Sequence, residues 1–199
     1  RVDRRQRQMC IRDRFNADSI SAFGGIIALN RVCNVEIAEE ISKVFVEIVI
    51  APGFDLLALD LFKKKKNLRV LEISPLDKRK SNLEIRNIDG GVLAQEVDVK
   101  SLTFEDLKVV TDRKPSKKDI ETALFSWKVL RHAKSNGILI AKDNTTVGLG
   151  AGQVSRVDAV HMALRKGGPN IKGSTLASDA FFPFRDSIDA VGKLSLIHI

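Results

Sequence analysis

The chain has 199 residues, 44% of them hydrophobic and 29% charged, with 33 Lys+Arg against 25 Asp+Glu for a formal net charge of +8. This balance excludes a disordered or low-complexity chain, and the longest wholly apolar run, Ala22 to Leu29, has eight residues and two glycines, well short of the roughly 20 that a membrane-spanning helix needs. Two cysteines cannot build a disulfide scaffold, and no secretory-type apolar stretch stands near the start, so a soluble chain of a reducing compartment is expected.

Both ends read as foreign to the protein. Residues 1–14 hold six arginines without periodicity, and within them Met9-Cys-Ile-Arg-Asp13 is one translation of a transposon end used in sequencing libraries. Leu194-Ser-Leu-Ile-His-Ile199 is the translation of its reverse complement. The two segments are expected to be adaptor-derived and are set aside like a fusion scar. Without the six arginines and two aspartates of residues 1–14 the net charge falls from +8 to +4, too little to argue for nucleic-acid binding.

Asn34 is placed to cap a helix carrying Ile37, Ile41 and Val44 on one face. Val46 to Ala51 is a short β-branched run bounded by Pro52-Gly53 and predicts a strand. A helix over Asp55–Lys65 and a strand over Leu68–Ile73 follow, and the polar, proline-initiated stretch Pro75 to Asn82 is the expected subdomain boundary. Strands are expected around Glu84–Asn87 and Val92–Gln95, turned by Gly90-Gly91, with a further one at Val109–Thr111. Ser116 and Asp119 make a variant capping box for a helix whose apolar stripe is Ile120, Ala123, Leu124, Trp127 and Leu130. Gly137–Lys142 and Thr145–Gly148 read as two strands turned by Asp143-Asn144, and a helix from Ser155 to Lys166 is expected to face inward through Val157, Val160 and Leu164. The order predicts an α/β fold with a layered sheet between helices.

Four features carry possible chemistry. The run Lys63–Lys66 reads as the solvated end of a helix, where cations suit the dipole. The segment Gly148-Leu-Gly-Ala-Gly-Gln-Val-Ser-Arg156 is either a tight structural corner or a ligand-facing loop; Arg156, whose fork grips phosphate or carboxylate, favours the second. It is no dinucleotide fingerprint, since that spacing needs glycine where Gln153 stands. Asp179-Ala-Phe-Phe-Pro-Phe-Arg-Asp186 cannot continue a regular helix and either stacks a planar ring, with Asp186 accepting from ring nitrogens, or plugs the core. Cys33, His132 and His161 show no paired metal-ligand spacing, and His132 reads as a structural or surface residue.

These stretches together resemble one family. Ser21-Ala-Phe-Gly-Gly-Ile-Ile-Ala28, Phe45-Val-Glu-Ile-Val-Ile-Ala-Pro52, Phe125-Ser-Trp-Lys128, Lys134-Ser-Asn136, Val147 to Arg156 and Ala177 to Asp186 stand in the order found in the AICAR transformylase/IMP cyclohydrolase family of purine biosynthesis. The resemblance spans residues 17–193. It implies an internal fragment of the transformylase region: residues 15–76 from a first subdomain, 77–193 from an incomplete second one, both cytidine-deaminase-like α/β/α layers lacking zinc and incomplete at both ends. The activity implied is transfer of a formyl group from 10-formyltetrahydrofolate, as co-substrate and without metal, to the 5-amino group of AICAR. Asn136 would stand beside the reacting groups, Gly24, Glu47, Asn136, Arg156 and Phe181 would contact AICAR, and Val157 and Asp186 would contact folate. Arg156 would reach in from the partner of a homodimer.

The resemblance also implies a cytoplasmic enzyme without nucleic-acid or membrane partners. The family's Lys-His segment, which supplies the catalytic base, has no counterpart in these 199 residues, so this segment alone is expected to be inactive. The alternative is a nucleotide-binding and dimerising module without catalysis.

Overall fold

The computed structural model describes residues 15, 22–73 and 83–192. The adaptor-like ends and the boundary expected over Pro75–Asn82 lie outside them. The chain divides into two compact units, the first running to Lys100 and the second beginning at Ser101.

The first unit alternates strand and helix: β1 (Gly25–Ala28), α1 (Val35–Ser42), β2 (Val46–Ala51), α2 (Leu56–Lys63) and β3 (Arg69–Glu72). The strands form a parallel sheet in the order β1-β2-β3, as helical crossovers dictate. Asn34 caps α1 as its position suggests, its Oδ1 accepting from the Ile37 amide at 3.1 Å, a bond that typically contributes about 1 kcal/mol. Ala38 and Ile41 of α1 and Ala58 and Phe62 of α2 share one core with Val46, Val49 and Ala51. Cys33 is fully buried in that core, and burial, helped by the nearby Asp55 charge, pushes its thiol up to about 12, so it stays a neutral, inert thiol. A hairpin of β4 (Leu83–Ile88) and β5 (Gly91–Glu96) turns at Gly90, whose φ of +77° suits glycine.

The second unit is a sheet covered on both faces. Its strands β6 (Ile138–Lys142), β7 (Thr145–Gly150) and β8 (Thr175–Ser178) pair antiparallel in the order β7-β6-β8. Asp143 and Asn144 both take positive φ, 51° and 58°, in the two-residue turn that joins β6 to β7. Central β6 shows no polar alternation, because each face meets a helix. Ile138 and Ile140 pack with Ala159, Val160 and Ala163 of α4 (Arg156–Gly167) and with Val191 of α5 (Asp186–Gly192). Leu139 and Ala141 pack with Leu130 of α3 (Lys117–Leu130). The described residues are therefore α/β, with one parallel and two antiparallel sheets among them.

Three expectations are corrected here. Val109–Thr111 forms no strand; its valines have no pairing partner among the described residues and instead line an apolar cleft. Of the α3 stripe only Leu130 is buried, and the residues buried with it on the helix are Thr122 and Ser126. Ser126 can be buried because its hydroxyl donates to the Thr122 carbonyl at 2.7 Å, satisfying itself within its own helix. Ile120, Ala123, Leu124 and Trp127 line an open apolar cleft of about 540 Å³ with Phe104 and Phe182. On α4 Val160 is buried and Leu164 packs on the same core, as expected, but the rest of the buried face is made of the small residues Ala159, Ala163 and Gly167, and Val157 is not part of it.

Close packing of α4 on β7 explains that choice, and it also settles two of the glycines. A Cβ at Gly150 would lie 1.9 Å from the Ala159 carbonyl oxygen, and one at Gly148 would lie 2.2 Å from that of Ala163. These glycines let a helix lie on a strand; they do not open a backbone to a ligand. Gly150→Ala is expected to cost about 3 kcal/mol, the upper end of overpacking, because backbone must move. Gly192→Ala, with nothing within 4 Å, is expected to change stability by less than ~1 kcal/mol. Urea unfolding of both variants checks the pair, and equal midpoints would overturn the assignment.

Candidate functional site

In the second unit one end of the sheet gathers the start of β6, the ends of β7 and β8 and the N-terminus of α4. The register sets Ile138 between Gly150 and Ser178. The residues just outside the strands, Asn136, Gln153 to Arg156 and Asp179, are thereby brought together from stretches 17 to 43 positions apart.

They are locked by hydrogen bonds. The Arg156 guanidinium donates through Nη2 to Asn136 Oδ1 at 2.8 Å and through Nη1 to Ser178 Oγ at 2.9 Å, and Nη1 also pairs with Asp179 Oδ1. The Asn136 Nδ2 donates to the carbonyls of Gln153 at 2.9 Å and Val154 at 3.0 Å. Asp179 Oδ2 accepts the Gly137 amide at 3.0 Å, and the Asp179 amide donates to the Gly137 carbonyl at 3.2 Å. Burial alone would raise the Asp179 carboxyl. The hydrogen bonds from Arg156, Ser135 and the Gly137 backbone, with the Arg156 charge, outweigh burial and hold it below the ordinary carboxylate value. A depressed folded value means that this pairing stabilises the fold above the unfolded pKa of about 3.9 and is lost only as pH falls through the lower folded one.

These bonds determine which way the Asn136 amide points. Both Nδ2 hydrogens meet carbonyl oxygens while Oδ1 meets a cation, and a flipped amide would set like against like at all three contacts.

An open cleft of about 460 Å³ lies beside this cluster, and Asn136, Arg156, Val157, Phe181 and Asp186 all line it. Phe181 and Phe184 are 81% and 73% exposed, so the aromatic loop is no core plug there; Phe182 is the ring that packs on the core. Asp186 opens α5 and its Oδ1 accepts the Ser187 amide at 2.6 Å. A guanidinium, an amide, a carboxylate and two exposed rings around one cleft suit a planar, polar ligand.

Gly24 and Glu47 lie in the first unit and next to each other. The β1–β2 register steps from Gly25 opposite Val46 to Ile26 opposite Ile48, leaving Glu47 as the extra residue of a bulge. Freed from the ladder, its carboxylate swings to Gly24, where a Cβ would lie 3.9 Å from Oε1. Gly24 itself has a φ of +70°, which favours glycine. The Phe23 and Phe45 rings stand beside them with centroids 5.1 Å apart.

Sequence reasoning assigned no role to Ser178 or Asp179. The carboxylate was visible as the flank of the aromatic loop, but its partners are set by strand pairing. His132 and His161 are exposed and neither lines the cleft. Among the described residues, no group of three or more His, Cys, Asp or Glu is placed to hold a metal ion, and no helix is long and apolar enough to cross a membrane.

Fold and cleft thus define an α/β protein with an open, partly polar cleft at one sheet end. The sequence matches the AICARFT/IMPCHase bienzyme family over residues 5–166, and the chain belongs to that family. It is 49% identical over 185 residues to the bifunctional purine biosynthesis protein PurH of Caldicellulosiruptor saccharolyticus, covering 93% of this chain and 36% of that protein. Against the protein of the same name from Oceanobacillus iheyensis it is 42% identical over 182 residues, covering 92% of this chain and 36% of the relative. With that of Buchnera aphidicola it shares 47% over 187 residues, again covering 92% and 36%. The chain spans about a third of the length of these curated relatives.

Proposed function

We propose that residues 15–193 are part of an AICAR formyltransferase, working within a longer polypeptide on the purine pathway, and that the cleft of the second unit holds its nucleotide and folate. In this reading residues 15–76 and 77–193 belong to two cytidine-deaminase-like layered subdomains, and the two terminal segments are adaptor-derived. The observation that carries it is convergence: Asn136, Arg156, Val157, Phe181 and Asp186, chosen from separate motifs, line one cleft.

The chemistry fits such a site. The 5-amino nitrogen of AICAR bonds to the formyl carbon, the bond from that carbon to the folate N10 breaks, one amine proton leaves to a base and N10 gains a proton. The amine is conjugated with its ring and carboxamide, so it needs orientation and proton removal rather than a metal. In this reading Asn136 orients it, Phe181 covers a planar ring, and Asp186 accepts from a pterin N–H. The base belongs to the Lys-His segment of the longer chain.

The site works in a homodimer in this reading, with Arg156 contributing to the neighbouring subunit's nucleotide. Mixing a full-length Arg156→Ala chain with one lacking the Lys-His base is expected to restore part of the activity in heterodimers. Failure to complement, with heterodimers shown to form, would confine Arg156 to its own subunit. The second reading, a nucleotide-binding and dimerising module without catalysis, is favoured for the isolated segment by a cleft that neither His132 nor His161, the histidines among the described residues, lines. AICAR binding without formyl transfer by the full-length protein would establish it.

A further inference from the structure

We propose that Asp179 is a positioning residue which, through Arg156, fixes the Asn136 amide as a hydrogen-bond acceptor facing the cleft, so that the site selects a ligand presenting an N–H donor there. The inference rests on the AICAR reading of the cleft and names the atom by which the amine is recognised.

Asn136 has no donor left to offer. Its two Nδ2 hydrogens are taken by the Gln153 and Val154 carbonyls at 2.9 and 3.0 Å. Its Oδ1 takes one hydrogen from Arg156 Nη2 at 2.8 Å and, like any amide oxygen, keeps a second lone pair. Asn136 lines the cleft, so what it presents to a ligand is an acceptor. An acceptor placed on an amine N–H leaves the nitrogen lone pair free and raises its electron density. A donor placed there would tie the lone pair up and block attack. The orientation observed is the one that an amine nucleophile requires.

That orientation depends on where the guanidinium is held, and Asp179 holds it. Its Oδ1 pairs with Arg156 Nη1 while its Oδ2 accepts the amide of Gly137, the residue following Asn136, at 3.0 Å. One carboxylate therefore anchors both the side chain that orients Asn136 and the backbone that carries it. An asparagine at 179 would turn an NH2 toward one of these two donors. Ser178 supports the same end of Arg156, accepting from Nη1 at 2.9 Å while its own hydroxyl donates to the Ala180 carbonyl at 2.7 Å. Without Asp179 the guanidinium is left with neutral partners and turns toward whatever anion enters the cleft, and the Asn136 amide loses the contact that distinguishes its two ends.

The test measures equilibrium binding of AICAR, and of its analogue with hydrogen in place of the 5-amino group, to the full-length protein by calorimetry. The unsubstituted protein is expected to prefer AICAR about tenfold or more, as one hydrogen bond to a well-placed acceptor supplies. In Asp179→Ala and Asp179→Asn the preference is expected to fall to about threefold or less, with smaller change in affinity for the analogue. Arg156→Lys, which keeps the charge but cannot span Asn136 and Asp179, is expected to behave likewise and serves where an Asp179 variant does not fold. A purely structural Asp179 would lower the melting temperature and leave the preference intact, and an intact preference in the folded variants overturns the inference. If the unsubstituted protein binds neither nucleotide, the AICAR reading itself falls; if it binds both equally, only the acceptor role of Asn136 does.

Discussion

Purified as these 199 residues, the chain is expected to release no tetrahydrofolate from 10-formyltetrahydrofolate and AICAR above the uncatalysed rate. The cleft carries groups suited to bind and orient, and no described histidine lines it. The Asp179 carboxyl is held below the ordinary range and committed to Arg156 and Gly137. His132 follows α3 and His161 sits on the outer side of α4, both exposed and neither in the cleft. General acid–base help is worth typically about 10²- to 10⁴-fold, and losing the walls that the rest of the polypeptide supplies forfeits positioning worth several kcal/mol more. Self-association is expected beside inactivity, because Leu83, Ile85, Val92 and Leu93 of the hairpin and Trp127 of the apolar cleft are exposed. A spectrophotometric assay decides the matter: turnover within tenfold of the full-length enzyme would show that the base lies within this segment.

In the full-length enzyme, Asn136→Ala is expected to lower kcat by roughly 10²-fold or more, the scale of losing a preorganised polar contact to the reacting group. The structure adds a reason for KM to rise with it. Alanine leaves the Gln153 and Val154 carbonyls and the Arg156 Nη2 without the amide that joins them, so the loop that lines the cleft loosens. Asn136→Asp separates the two effects. It keeps an oxygen for Arg156 and for an incoming N–H, but sets the other against two carbonyls, and its kcat is expected to lie between those of the parent and of Asn136→Ala. Steady-state kinetics on the three proteins measures this, and an unchanged kcat in Asn136→Ala would remove Asn136 from the site.

Much of the secondary structure was legible because local rules decide it. Asn34 caps α1 and the Ser116–Asp119 box opens α3 through bonds among residues three apart, and such contacts need no tertiary partner. Hydrogen bonds from Ser116 also hold the Asp119 carboxyl below its usual range, the electrostatic trace of the same cap. Asp143-Asn144 turns because short polar side chains tolerate positive φ. The motifs containing Asn136, Arg156, Phe181 and Asp186 were equally visible as residue types.

What lay beyond the sequence was everything that depends on which surface meets which. Periodicity marked an apolar stripe on α3 but could not say that the hydroxyl-bearing face, satisfied within its own helix, is the buried one. Alternating glycines suggested a ligand loop, whereas Gly148 and Gly150 are explained by carbonyls of α4 lying where their side chains would be. Glu47 reaches Gly24 because a one-residue shift between parallel strands frees it, a property of pairing and not of either strand. Asp179 is the clearest case. Nothing near it in the chain assigns it a partner, and only the antiparallel placement of β8 beside β6 sets its carboxylate between Gly137 and Arg156. The local sequence determined helices, turns and the kinds of side chain available; strand register, a long-range quantity, decided which of them touch.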